Sequence, residues 1–145
     1  MTEGIIILTD GERVEKALYV NSDAYFSWLG VRLLEKFKDE TLEKYISNYS
    51  NVKYNKYNRE VRELYRANYD YTDEDREKML KLTNKIELRT YTIKGANKFK
   101  YYNFLKQLSY VPSHIYTYNK DKNMLLIKGY DGEYEVTKEN VNIYR

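Results

Sequence analysis

Residues 4–9, Gly-Ile-Ile-Ile-Leu-Thr, form an unbroken apolar run that ends at the polar pair Asp10-Gly11. An Asp-Gly pair between two strand-like runs predicts a hairpin, because both turn residues must tolerate positive φ. The second strand is expected over Glu12 to Val20, with Val14, Leu18 and Val20 at even spacing on one face. Ser22 or Asp23 then offers an N-cap for a helix reaching about Lys38. Its apolar positions Phe26, Leu29, Leu33, Leu34 and Phe37 fall on one stripe. Asp39 can cap a second helix, in which Leu42, Tyr45, Ile46 and Tyr49 recur at helical spacing.

The middle of the chain is more polar. Residues 50–58 read as an Asn-rich connection, and Val61, Leu64 and Tyr65 suggest a third helix over 58–68. Thr72-Asp73-Glu74-Asp75 resembles a capping box that opens a fourth helix to about Leu82. Residues 86–93 have strand composition and stop at Gly95; Phe99, Tyr102 and Leu105–Leu108 suggest a short helix ended by Pro112. The last third alternates as antiparallel sheet. His114 to Tyr118, Met124 to Lys128 and Glu133 to Val136 are strands, separated by turns at Asn119–Asn123 and Tyr130-Asp131-Gly132. Strands at both ends enclosing helices describe an α+β fold with a mainly antiparallel sheet, as one domain over residues 1–145.

Composition changes this picture in two ways. Eighteen of the 145 residues are Tyr, so the core must recruit phenol rings and leave their oxygens at its edge. Charge is also uneven. The chain as a whole carries +3, but residues 76–106 hold nine basic and two acidic residues, a local +7. A local excess of this kind is a better argument for an anionic partner than the overall pI. With no cysteine, a disulfide framework, a thiolate nucleophile and a Cys-ligated zinc are excluded. No apolar run approaches the ~20 residues needed to cross a bilayer, and no signal-peptide pattern opens the chain, so a soluble intracellular protein is expected.

Enzyme motifs are scarce. His114 is the sole histidine, so a two-His metal site cannot be built, and a histidine filling part of a sheet surface is its plain reading. Ser113 beside it should point to the opposite face if both lie in a strand. Asn119-x-Asp121-x-Asn123 opens like an EF-hand loop, but Met124 stands where Gly is required and Tyr130 where the closing Glu belongs. Neither a Walker A nor a GxGxxG sequence is present. Asp73 and Asp75 are explained by a helix start.

The segment Tyr19-Val-Asn-Ser-Asp-Ala-Tyr-Phe-Ser-Trp-Leu-Gly30 resembles a corner found in small bacteriophage proteins, where a strand ends in Tyr-x-His-Trp-Asp-Gly-Tyr-Pro and a helix with Gly and paired Leu follows. Tyr19, Asp23, Tyr25, Gly30 and Leu33-Leu34 match; Asn21, Ser22, Ala24 and Phe26 depart from the pattern. Residues 112–119 resemble the closing hairpin of the same proteins. The resemblance implies a viral source and an accessory protein that disables a host defence in the cytoplasm of the infected cell. At the corner, Asp23 reads first as an N-cap, and Asp23, Tyr25 and Trp28 together are the candidate secondary contact residues.

The strongest functional candidate is the basic, aromatic stretch 89–102. Arg89, Lys94, Lys98 and Lys100 can neutralise phosphates, while Tyr101 and Tyr102 can stack on bases. Gly95 would admit an oxyanion to the backbone, and a helix start after it would favour negative charge. The alternative is an ordinary solvated face over a Tyr-filled core. The expected function is therefore binding without catalysis, with neither cofactor nor metal. The protein would sequester a phosphate-bearing ligand, a nucleotide signal of the host defence or a nucleic acid. The competing expectation is an inhibitor that occludes a host nuclease or defence effector through a tyrosine-rich face. No membrane partner is expected, and the oligomeric state is left open.

Overall fold

The computed structural model describes residues 2–49, 73–74 and 90–143. Residues 73–74, at the expected fourth helix, are helical; the helix over 58–68, the rest of the fourth helix and strand positions 86–89 lie outside the described residues. Among the described residues six strands form one sheet: β1 (Gly4–Thr9), β2 (Val14–Val20), β3 (Thr90–Thr92), β4 (His114–Asn119), β5 (Met124–Gly129) and β6 (Gly132–Val136). Their spatial order is β3-β2-β1-β4-β5-β6. All neighbours are antiparallel except β1 and β4, which run parallel, so the fold is α+β with a mostly antiparallel sheet. The strand from the N-terminal hairpin thus sits at the centre, against one from the C-terminal third. Every residue of β1 is buried, which is why it reads as a continuous apolar run rather than an alternating one.

Alternation within the sheet supplies two cores. On one face Ile6, Leu8, Leu18, Val20, Tyr116, Leu125 and Ile127 pack against α1 (Val31–Lys38) and α2 (Leu42–Asn48), through Leu33, Leu34, Phe37, Leu42 and Ile46. On the other face Ile5, Ile7, Ala17 and Ile115 meet Ala96 and Phe104, with Phe99, Tyr101, Leu105 and Leu108 around them. Lys16 fastens α2 to the first face. Its Nζ donates to the carbonyls of Ser47 (2.9 Å) and Tyr49 (2.5 Å), where a helix end leaves acceptors unpaired.

Local chemistry departs from the sequence reading at four places. The first turn spans Asp10 to Arg13, and only Gly11 has positive φ (100°); Asp10 acts through its carboxylate, which accepts the amides of Glu12 (2.8 Å) and Arg13 (2.9 Å). Those two amides hold the Asp10 carboxyl below its ordinary pKa. Val14 does not share a face with Leu18 and Val20. Leu8 pairs with Lys16 but Thr9 with Val14, and this bulge at Glu15 turns Val14 into the second core.

The helix after β2 is not capped by Ser22 or Asp23. It opens with a π-helical turn, Phe26–Gly30, in which the Tyr25 carbonyl accepts the amides of Trp28, Leu29 and Gly30 at 2.9–3.3 Å. Asp23 is exposed with φ 61°, so it makes the corner by its backbone conformation rather than by capping. Likewise Asp39 ends α1 as its C-cap, and Thr41 occupies the N-cap position of α2. After Gly95 the chain forms a three-residue turn, Ala96–Lys98, then the short α3 (Tyr101–Phe104) and another tight turn at Leu105–Gln107.

Candidate functional site

His114 begins β4 on the same face as Tyr116, because side chains two apart in a strand project together. His114 is only 5% exposed. Three segments enclose it. Tyr25, from the corner before α1, places its ring 5.9 Å from the imidazole at an interplanar angle of 74°. Tyr130, from the β5–β6 turn, stands 4.8 Å away at 88°. Gly129 borders it from β5: a Cβ there would lie 3.4 Å from His114 Cδ2, in van der Waals contact with the ring. Ser113 precedes the strand rather than belonging to it, and its Oγ lies 3.1 Å from His114 Nδ1 instead of on the opposite face.

These groups line a hollow of about 580 Å³ whose walls include Tyr25, Phe26, Tyr130, Asp131, Tyr134 and Ile143. Tyr25, Tyr130 and Tyr134 are all exposed at its rim, at 42%, 74% and 37%. Burial pushes the His114 pKa below its ordinary value, and the Asp131 carboxylate pulls in the other direction. The larger influence is burial, which favours the neutral imidazole. Two tyrosines, each nearly perpendicular to the buried imidazole, make a recess of π faces and edges with one carboxylate among its linings.

The basic stretch is organised differently. Arg89 lies outside the described residues. Lys94, Lys98 and Lys100 are exposed, and Tyr102 is 66% exposed, whereas Tyr101 packs into the second core. Backbone bonds pin this stretch to the β1–β2 hairpin: Tyr101 N–H donates to the Glu12 carbonyl at 2.8 Å, and Val14 N–H to the Phe99 carbonyl at 3.2 Å. Gly95 adopts φ 77°, but a three-residue turn follows it, too short to sum peptide dipoles toward an anion. The cavity Tyr101 lines, about 480 Å³, also has Asp10, Glu12 and Asp121 in its wall against a single cation, Lys122. Three carboxylates to one lysine oppose a phosphate there.

Of the residues singled out in the sequence, the fold brings Tyr25 to His114 and leaves the others apart from that hollow. Trp28 is half-buried against the first core, and Asp23 points to solvent exposure at the corner. Tyr130, Asp131 and Tyr134 escaped the sequence reading because the first two looked like turn residues. The available signal was register: with Gly129 opposite Gly132, the turn stands over the first residue of β4. Among the described residues no cluster of His, Asp and Glu could hold a metal ion, and no helix is long and apolar enough to cross a membrane. Comparison with known proteins finds no matching family model, curated protein or solved structure. The likeness to phage proteins therefore stands on the quoted residues alone.

Proposed function

We propose that this protein acts by binding rather than by catalysis, and that it engages a protein partner through the tyrosine-rimmed hollow over His114. The observation that carries this reading is the perpendicular packing of Tyr25 and Tyr130 on one buried imidazole, which leaves aromatic surface exposed around a concavity. Exposed tyrosines held by packing lose little entropy on association, and they are enriched among the residues that dominate interface energies. With the phage-like corner, the reading becomes a counter-defence inhibitor that occludes a host nuclease or effector. That last step rests on the resemblance.

Phosphate capture by Lys94, Lys98 and Lys100 is the competing mechanism, and one comparison separates the two. Partner binding should fall at least ~10-fold on Tyr130→Ala, as expected for a hot-spot residue. It should change only modestly when the three lysines become Glu. Measurement by calorimetry against the partner recovered from host extract gives both numbers. The opposite ranking, with salt dependence of about −0.9 in log-log slope per neutralised phosphate on a nucleic acid, would favour the lysines.

A further inference from the structure

We infer that the hollow over His114 receives a positively charged side chain of the protein partner, an arginine guanidinium or a lysine ammonium. This deepens the reading above and rests on it. Three observations point to a cation. Tyr25 and Tyr130 each meet the imidazole nearly at right angles, so the recess has a floor and walls of different orientation rather than a single stacking plane. Such an arrangement can turn ring surface toward a guest from more than one side, and π faces attract cations. Asp131 is the charged residue among the linings, and no Lys or Arg lines the hollow among the described residues. The third observation is the floor itself: His114 is buried, and burial favours its uncharged form, which does not repel the guest.

Alternative guests fit less well. A phosphate would face the Asp131 carboxylate and find no basic side chain in the lining. A purely apolar side chain would gain from the rings but would strip water from Asp131 without pairing it, an unfavourable exchange. A volume near 580 Å³ accommodates the head group and stem of a long basic side chain.

The single histidine makes the test direct, because the chain has one imidazole Cε1–H and so one such NMR resonance. The probe is N-acetyl-arginine methylamide, with the neutral isostere N-acetyl-citrulline methylamide and adenosine monophosphate as comparators. The arginine compound should shift the imidazole signal saturably, and the citrulline compound should bind about fivefold more weakly or not at all. Asp131→Asn and Tyr130→Ala should each weaken the arginine compound by a similar factor of about five. Both residues are exposed, so neither change should unfold the protein, and an unchanged thermal transition checks this.

Equal binding of arginine and citrulline compounds, stronger binding of the nucleotide, or no saturable shift would each overturn the cation site. If the cation site fails while Tyr130→Ala still abolishes partner capture, the binding face stands and only its guest is wrong. If the arginine compound binds as expected but partner capture ignores Tyr130→Ala, the site stands and the partner reading falls.

Discussion

The Tyr116 hydroxyl donates a 2.7 Å hydrogen bond to the backbone carbonyl of Ala24, across 92 residues of sequence. Tyr116 lies two residues after His114 on the same face of β4, and Ala24 immediately precedes Tyr25. One bond therefore ties the strand that supplies the floor of the hollow to the corner that supplies a wall. It is fully buried, and burial also pushes the Tyr116 pKa far above the ordinary tyrosine value.

Replacing Tyr116 with Phe should destabilise the protein by about 1–3 kcal/mol, because the buried Ala24 carbonyl loses its donor. Urea unfolding measures this. The same variant should broaden the His114 imidazole signal as Tyr25 loses its anchor. An unchanged denaturation midpoint would show that the bond does not set the corner.

Gly4→Ala tests the neighbouring contact. A Cβ at Gly4 would lie 2.7 Å from Ala24 Cβ and 3.1 Å from the His114 carbonyl oxygen. Neither atom belongs to a flexible side chain, so the corner and β4 must separate at a cost of about 1–3 kcal/mol. Adding Ala24→Gly should recover part of the loss in thermal denaturation. Full tolerance of Gly4→Ala would mean that the corner moves freely.

Acid should weaken the fold through His114. Its folded pKa lies below the ordinary 6.5, so the unfolded chain binds the proton more readily. Stability from the neutral imidazole is complete above that pH and is lost as pH falls toward the folded pKa. The groups facing it are Tyr25 from the corner, Ser113 before β4, and Tyr130 and Asp131 from the β5–β6 turn. His114→Gln should flatten this part of the stability profile between pH 7 and 5. An unchanged slope in that variant would assign the acid sensitivity to carboxylates.

Asn140 bonds to the backbone at the end of β6. Its side-chain amide donates to the Glu135 carbonyl at 2.9 Å and accepts the Thr137 amide at 2.8 Å, as one residue of an added strand would. Among the described residues β6 is an edge strand, and unpaired edges recruit other chains. Asn140→Ala should cost about 1–3 kcal/mol for the two bonds. It should also produce concentration-dependent association in sedimentation velocity. A variant that is less stable yet monomeric at every concentration would separate stabilisation from edge protection.

The periodicities of the chain determined its elements, since apolar spacing and turn chemistry are local. The run 4–9, the Leu33-Leu34-Phe37 stripe and the three C-terminal strands could be read directly, and so could the α+β class. What residue order could not convey was which strands become neighbours. The parallel pairing of β1 with β4 sets Gly4 opposite His114, and the sheet thereby carries a residue near the C-terminus to the corner after β2. The bulge at Glu15 moved Val14 to the other face, because one extra residue reverses side-chain alternation. Asp23 looked like a cap from its type, yet the helix start is set by the Tyr25 carbonyl and the packing of Phe26 and Leu29. The candidate site followed the same rule. Local charge drew attention to Lys94, Lys98 and Lys100, which composition alone makes visible. The hollow arises only when Tyr25, His114 and Tyr130 meet from three segments, a juxtaposition held by long-range pairing and burial rather than by any motif along the chain.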